Sequence, residues 1–172
     1  MENNLTVRIG TPEDVDGMMQ LAMAACEENG LTRPNPMKLL AEIWAGLTRQ
    51  RGIVGIIGEY GKPLEAAILL RTEELWYSDD MTLVERAVFV HPEFRSAKGG
   101  RARMLCEFAK HASEILQMPL VIGILTSQRA SGKIRLYERQ FGEQSGAYWI
   151  YGKKTGDWKE EVQPTEQNMT EH

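Results

Sequence analysis

The turn that follows residue 94 has the residue types of an anion-binding site. Arg95, Lys98 and Arg101 supply positive charges, and Gly99 and Gly100 lie among them at the start of a predicted amphipathic helix. The first backbone N–H groups of a helix have no acceptors within the helix, and the helix dipole adds partial positive charge there. Glycine lets the backbone approach an anion closely. Solvated charges are the alternative interpretation, but the combination favours a phosphate-binding turn.

A strand and a helix must hold this turn in place. Residues 82–90 form an apolar strand-like run, residues 102–116 carry apolar side chains at helical spacing, and residues 120–125 form a second short apolar run. A β-α-β unit of this kind needs a right-handed crossover, and it puts the loop after its first strand at a ligand-binding edge of the sheet. Neither GxGxxG nor GxxxxGK followed by Ser or Thr is present, so the standard nucleotide loops are poorly supported.

Strand and helix signals continue along the rest of the chain. Alternating or apolar runs and turn residues predict the order β-α-α-β-β-β-α-β-α-β, with a single domain over residues 1–154 and a polar tail over 155–172 that we expect to be mobile. The remaining strands are predicted at residues 5–9, 53–59, 64–71 and 147–153, and the remaining helices begin near Thr11, Asn35 and Ser131.

Composition limits the classes of partner. The chain has 172 residues, 42% of them hydrophobic, which suits one domain with a sizeable core. A net charge of −4 disfavours a duplex nucleic-acid binder, and no apolar run is long enough to span a bilayer. The N-terminus lacks the pattern of a secretory leader, so a cytoplasmic location is expected. Cys26 and Cys106 are predicted to be free thiols, and the three scattered histidines show no metal-ligand spacing, so no metal is expected.

The turn resembles the pyrophosphate-binding motif of the GNAT superfamily of N-acetyltransferases. The family pattern is a strand ending in V-x-P, then R-x-x-G-x-G/A, then a helix; here Val90, Pro92, Arg95 and Gly100 fall in register, and Lys98 stands where the family usually has its first glycine. The predicted element order is also similar to the GNAT fold over about residues 5–153. The resemblance implies a single-domain α/β GNAT-like acyl-CoA N-acyltransferase fold, with a mixed, mostly antiparallel sheet flanked by about four helices.

The same resemblance implies where acetyl-CoA binds. Backbone groups of Val88 and Val90 would pair with the pantetheine arm, and Val88 N–H could supply the oxyanion donor. The pyrophosphate would lie against the turn, whose residues are Arg95, Ser96, Ala97, Lys98, Gly99, Gly100 and Arg101.

A tyrosine downstream of the turn is the candidate proton donor. The segment from Leu136 to Gly142 resembles the family's LYxxxGF segment, with the last two residues in reversed order, Phe141 then Gly142. By that match, Tyr137 would protonate the departing thiolate of CoA. The alternative is a structural tyrosine that shares a core-facing helix surface with Ile134 and Phe141.

Glu85 is the candidate general base, because GNAT enzymes often place a carboxylate on the strand before the turn. In a regular strand Glu85 shares a face with Leu83, Ala87 and Phe89, whereas the family's usual positions share a face with Val90. A bulge in this strand could restore the facing. A surface carboxylate, with a water chain as the base, is the open alternative.

The sequence therefore predicts an N-acetyltransferase that moves an acetyl group from acetyl-CoA to a primary amine by direct attack in a ternary complex. Neither cysteine adjoins the turn or Tyr137 in sequence, so a covalent acetyl-cysteine intermediate has no support. The alternative is a catalytically weak or inactive GNAT-fold module that binds CoA or regulates a partner. The sequence does not name the amine or fix the oligomeric state, and a homodimer is one arrangement that it allows.

Overall fold

The computed structural model describes residues 5–95, 100–125 and 129–152. Four predicted members of the phosphate-binding turn, Ser96, Ala97, Lys98 and Gly99, lie outside the described residues, as does the predicted tail over 155–172. The strands are β1 Arg8–Ile9, β2 Gly52–Ile57, β3 Ala66–Glu74, β4 Met81–Val90 and β5 Leu120–Val121, and the helices are α1 Val15–Asn29, α2 Pro36–Leu47, α3 Arg101–Leu116 and α4 Ala130–Phe141.

The strands form one sheet in the order β1-β2-β3-β4-β5, so neighbours in the chain are neighbours in space. The first three pairings are antiparallel, and β4 and β5 are parallel, joined by a crossover that contains α3. This arrangement, with four helices on the sheet in the described part of the chain, confirms the predicted mixed, mostly antiparallel α/β fold.

Local sequence signals explain where the first two helices begin and end. A single 3₁₀ turn at Pro12–Asp14 leads into α1, and Gly30 ends that helix in the left-handed conformation at φ 63°, donating its N–H to the Cys26 carbonyl. The Asn35 side chain caps α2 by accepting from the N–H groups of Met37 and Lys38.

Alternation along the strands divides the core into two halves. Helices α1 and α2 cover one face of the sheet, where Leu21, Ile43, Ile56 and Phe89 are buried together. Helix α3 covers the other face, and there the buried residues are Ile57, Ala66, Ile68, Leu70, Leu83, Leu105, Ala109 and Ala112. The sheet is thus the middle of three layers, and β4 contributes side chains to both.

The predicted last strand is wrong as far as the structure describes it. Residues 147–152 form no strand, although their β-branched and aromatic side chains favour one. Tyr148 and Trp149 are 81% and 87% exposed, so their apolar surface is not buried against a neighbouring strand. Intrinsic propensity is therefore not enough here, since strand formation depends on pairing and burial.

Among the described helices, none is long and apolar enough to cross a membrane.

Candidate active site

A β-bulge in β4 decides which way Glu85 faces. Ala87 is opposite Leu69 of β3, but the next pair joins Glu85 to Leu70, which leaves Arg86 as the extra residue. One extra residue reverses the alternation of side chains on the two sides of a bulge. The bulge that the sequence could only suggest is present.

The bulge brings Glu85 onto the same face as Val88 and Val90. The register sets these three residues opposite Leu70, Ile68 and Ala66, all of which belong to the core under α3. In an unbroken strand Glu85 would instead share a face with Phe89, under α1 and α2. Glu85 therefore faces the same side of the sheet as Val90, as expected if the strand contained a bulge.

The edge of β4 beyond the bulge is not paired with β5 in the described residues. The two strands pair only at Leu83 with Leu120 and at Val84 with Val121, and then they separate. The His91 N–H donates to the Glu65 carbonyl on the β3 side, so by antiparallel alternation the backbone groups of Val88 and Val90 point towards the opened edge. The opening thus presents main-chain hydrogen-bonding groups.

A cavity of about 460 Å³ fills the opening between β4 and the chain after β5. It is bounded by four parts of the fold: β4, residues 121–125, the end of α1, and α4. Polar residues from three of these parts line it. They are Glu28 and Asn29 of α1, Glu85 and Arg86 of β4, Lys133 and Tyr137 of α4, with Val88 and the exposed Tyr148 beside them.

Glu85 lies at the point where the strands separate. Its carboxylate Oε2 accepts a hydrogen bond of 3.4 Å from the Gly123 N–H, across the opening from β4. Burial raises the pKa of Glu85 to about 7, against the lowering effects of that N–H and of the charges on Lys133 and Arg86. A carboxyl group with this pKa can take up and release a proton near neutrality.

Tyr137 reaches the same cavity from α4. Its ring contacts Phe141 edge to face, with 5.5 Å between the ring centroids. Helix α4 is itself joined to α3, because the Lys110 ammonium donates to the Gln140 carbonyl at 3.3 Å. Burial, and then the negative charge of Glu85, raise the pKa of Tyr137 well above its ordinary value. The hydroxyl is therefore protonated at any physiological pH and can act as a proton donor.

The two arginines of the turn contact carboxylates of the protein itself. Arg95 donates through Nε to the Val90 carbonyl and through a terminal nitrogen to Glu28, both at 2.7 Å. Arg101 donates from Nε to Glu65 at 2.8 Å and from a terminal nitrogen to the Phe94 carbonyl at 3.2 Å. These contacts hold Arg95 against the end of α1 and Arg101 against Glu65, the residue before β3.

Gly100 sets the start of α3. It adopts the left-handed conformation at φ 64°, which a residue with a Cβ rarely takes, and no side chain caps the first N–H groups of the helix in the described residues.

The structure brings Glu85, Val88 and Tyr137 to one cavity. Val90, Arg95, Gly100 and Arg101 lie towards the end of β4 and the start of α3, outside its lining.

Gly123 and Lys133 are among the cavity residues that were not singled out as site residues from the sequence. Lys133 could have been found, because it lies four residues before Tyr137 and such residues share a helix face. Burial lowers the pKa of Lys133 from its ordinary value, against the attraction of Glu28 and Glu85. Glu28 and Gly123 are brought to the cavity only by the packing of segments that are distant in the sequence.

In the described parts of the chain, no group of three or more His, Cys, Asp or Glu side chains could hold a metal.

No protein-family model and no curated protein matches the chain. Solved structures do. One is AAC(6')-Iy in complex with the bisubstrate analogue CoA-S-monomethyl-acetylneamine, at 13% identity and a TM-score of 0.64 over 88% of this chain and 99% of that one. Another is a ribosomal-protein-alanine N-acetyltransferase from Brucella melitensis biovar Abortus 2308, at 13% identity and a TM-score of 0.61 over 86% and 98%.

A third similar structure is an aminoglycoside acetyltransferase, meta-AAC0020, from an uncultured soil metagenomic sample, in complex with trehalose. It is 13% identical to this chain, with a TM-score of 0.62 over 89% of this chain and 99% of its own. At these identities the likeness establishes the fold, which is the acetyltransferase fold expected from the sequence, over most of the chain's length.

Proposed function

We propose that this protein is an N-acetyltransferase that moves an acetyl group from acetyl-CoA to a primary amine by direct attack in a ternary complex. The observation that carries the proposal is that Glu85 and Tyr137, from β4 and α4, line one cavity where β4 and β5 separate. Burial raises the pKa of Glu85 to about 7, so its carboxylate can accept a proton near neutral pH. Burial also raises the pKa of Tyr137, so its hydroxyl carries a proton that it can donate. Amine acetylation needs both functions.

Acetyl-CoA would bind along the opened edge of β4. Its pantetheine amides would pair with the backbone of Val88 and with the Val90 N–H, as an added strand pairs with a sheet edge. The Val90 carbonyl already accepts from Arg95. Its pyrophosphate would lie at the start of α3, where Gly100 and uncapped N–H groups favour an anion. The other proposed members of that site are Arg95, Arg101 and the turn residues 96–99.

Each proton and bond change then has a candidate group. Glu85 takes a proton from the ammonium form of the acceptor, and the neutral amine attacks the thioester carbonyl. The Val88 N–H would stabilise the oxyanion of the tetrahedral intermediate. As the C–S bond breaks, Tyr137 protonates the thiolate and regains a proton from the attacking nitrogen, which must lose its second excess proton to become an amide. The proton held by Glu85 returns to solvent.

Cysteine chemistry is disfavoured on physical grounds. Burial raises the pKa of Cys106 to about 12, so the thiolate needed for a covalent acetyl intermediate is scarce. Burial also raises the pKa of Cys26. Direct attack by the amine requires neither group.

Replacing Tyr137 tests the proposed proton donor. The Y137F variant should lower kcat by about 100-fold, because the thiolate must leave without a positioned acid, while acetyl-CoA affinity changes little. Thiol release with a panel of primary amines measures kcat, and calorimetry measures binding. The matched control is Y77F, since Tyr77 is exposed and packs on Trp76 at 5.4 Å between centroids, away from the cavity.

Three outcomes separate the candidate functions. Acetyl-CoA binding with amine-dependent thiol release that falls in Y137F supports the proposal. Binding without thiol release for any amine would favour the alternative of a CoA-binding or regulatory module. Failure of the wild type to bind CoA or acetyl-CoA would contradict both.

A further inference from the structure

A lysine lies inside the cavity that we propose for acetyl transfer. Lys133 lines it together with Glu85 and Tyr137, and it precedes Tyr137 by four residues, one turn back along the same face of α4. The amine is thus attached to the same helix as the proposed proton donor and faces the same space as the proposed base.

The surroundings of Lys133 favour its neutral form more than those of a surface lysine. Burial removes water from the ammonium, and the charges of Arg95 and Arg129 act in the same direction. Glu28 from α1 and Glu85 from β4 attract the ammonium and oppose these effects, but the pKa remains lowered. A neutral amine is the nucleophile that acetyl transfer requires.

Lys62 shows the opposite condition. It lies in the turn between β2 and β3, is 67% exposed and forms an ion pair with Glu59. That pairing raises the pKa of Lys62. Lys62 is therefore a lysine of the same chain whose amine is held in its charged form and which lies outside the cavity.

We propose that Lys133 is itself an acetyl acceptor, and that the protein acetylates it from acetyl-CoA bound in the cavity. This inference rests on the proposed function. The neutral Nζ attacks the thioester carbonyl, an N–C bond forms and the C–S bond breaks. The electron pair of that bond leaves with the CoA sulfur, which takes a proton from Tyr137. The excess proton on the nitrogen passes to Glu85, and a proton returns from Glu85 to the Tyr137 oxygen, so both groups regain their starting states. The products are an Nε-acetyl-lysine and CoA.

Acetylation of Lys133 would act back on Glu85. The positive charge of Lys133, like that of Arg86, lowers the pKa of Glu85, and an amide carries no such charge. The remaining neighbours cannot replace it: the Gly123 N–H is a single long donor, and Tyr137 and Cys106 are neutral near pH 7. The pKa of Glu85 would therefore rise, and less of the base would be ionised at neutral pH. The modification would limit the enzyme's own turnover.

The first test incubates the full-length chain with acetyl-CoA and no added amine. Intact mass should increase by one acetyl group, and peptide mapping should locate it at Lys133. Acetylation at Lys133 should be at least about tenfold faster than at Lys62, because the proposed proton donor and base act only within the cavity. K133R should not gain the group, whereas the matched variant K62R should gain it as the wild type does.

The second test separates enzymatic transfer from spontaneous acetylation in solution. Y137F and E85Q should both slow the acetylation of Lys133, because the transfer uses the proposed donor and base. K133Q, which resembles the acetylated side chain in charge, should move the acidic limb of the pH-rate profile for an external amine to higher pH. K133R, which keeps the charge, should not.

The failure of this inference can be distinguished from the failure of the proposed function. If acetyl-CoA binds and external amines are acetylated, but Lys133 stays unmodified or reacts no faster than Lys62, the inference is wrong and the function stands. If Lys133 reacts at the wild-type rate in Y137F and E85Q, the modification is spontaneous and the inference is wrong. If acetyl-CoA does not bind, both are wrong.

Discussion

The fold shifts the pKa values of two carboxyl groups in opposite directions. Asp14 lies near β1 and Glu85 lies at the edge of β4, towards opposite ends of the sheet. Burial alone acts to raise the pKa of each carboxyl group. At Asp14, two N–H groups of Arg8 donate at 2.9 and 2.7 Å and the Thr11 N–H donates at 2.9 Å, so the net pKa is lowered. At Glu85, the Gly123 N–H at 3.4 Å does not compensate, and the pKa rises to about 7.

The difference separates a structural carboxylate from one that is available for chemistry. The Asp14 side chain is only 3% exposed, and its oxygens are occupied by donors, so ionisation there stabilises the fold. Glu85 lies where the strands separate, and its ionisation costs stability because few donors replace the lost water. Removing each carboxylate should therefore affect different properties.

D14N should have the largest effect on stability. It leaves the Arg8 guanidinium without its buried partner, which costs about 3–5 kcal/mol at pH 7. Because the folded pKa of Asp14 is depressed, the loss is full above its unfolded pKa and shrinks as the pH falls through the folded value. Chemical unfolding at pH 7 and at low pH measures this. The control D16N, at an exposed carboxylate in the first turn of α1, should cost at most about 0.5 kcal/mol.

E85Q should lower activity and not stability. Loss of the base should reduce kcat by about 100-fold or more. The folded pKa of Glu85 is raised, so the native state holds a proton between about pH 4.5 and 7, and stability falls as the pH rises through that window. E85Q removes this cost, and at pH 8 it should be as stable as the wild type or more stable by up to about 3 kcal/mol.

A matched carboxylate serves as the control for E85Q. Glu74 is exposed at the end of β3, and E74Q should change neither kcat nor the melting temperature. A large loss of stability in E85Q would contradict the comparison, because it would make Glu85 a structural carboxylate like Asp14.

E28Q should lower the free energy of unfolding less than D14N does. The Glu28 carboxylate joins the end of α1 to Arg95 at 2.7 Å, with both side chains less than one-fifth exposed. Loss of this charge-assisted hydrogen bond should cost about 1–2 kcal/mol in the free energy of unfolding. E107Q breaks an exposed pair with Arg103 on α3 and should cost less than about 0.5 kcal/mol. Equal effects in both variants would show that Arg95 is not braced as the structure indicates.

The sequence predicted the fold because most of its signals are local. The cap at Asn35, the stop at Gly30 and the spacing of apolar residues in α3 depend only on near neighbours. The strand predicted at 147–153 was wrong because a strand needs a partner, and β-propensity alone does not supply one.

The site was less predictable because its geometry depends on pairing between distant segments. The facing of Glu85 follows from a bulge that is defined only against β3. The partners of Arg95 and Arg101 are 67 and 36 residues away, so no local pattern could indicate them. The roles of Glu85, Tyr137 and the turn residues stay predictions, and only the spacing from Lys133 to Tyr137 gave a local signal that was not used.

The most direct test of the central claim is the pH dependence of kcat/KM for acetylation of a primary amine by the wild type and by E85Q. If Glu85 is the base, the wild-type profile should rise through a limb near pH 7, and that limb should be absent from the much lower E85Q profile. An E85Q profile with the wild-type height and the same limb near pH 7 would contradict the assignment of the β4–β5 opening as the site of catalysis by Glu85.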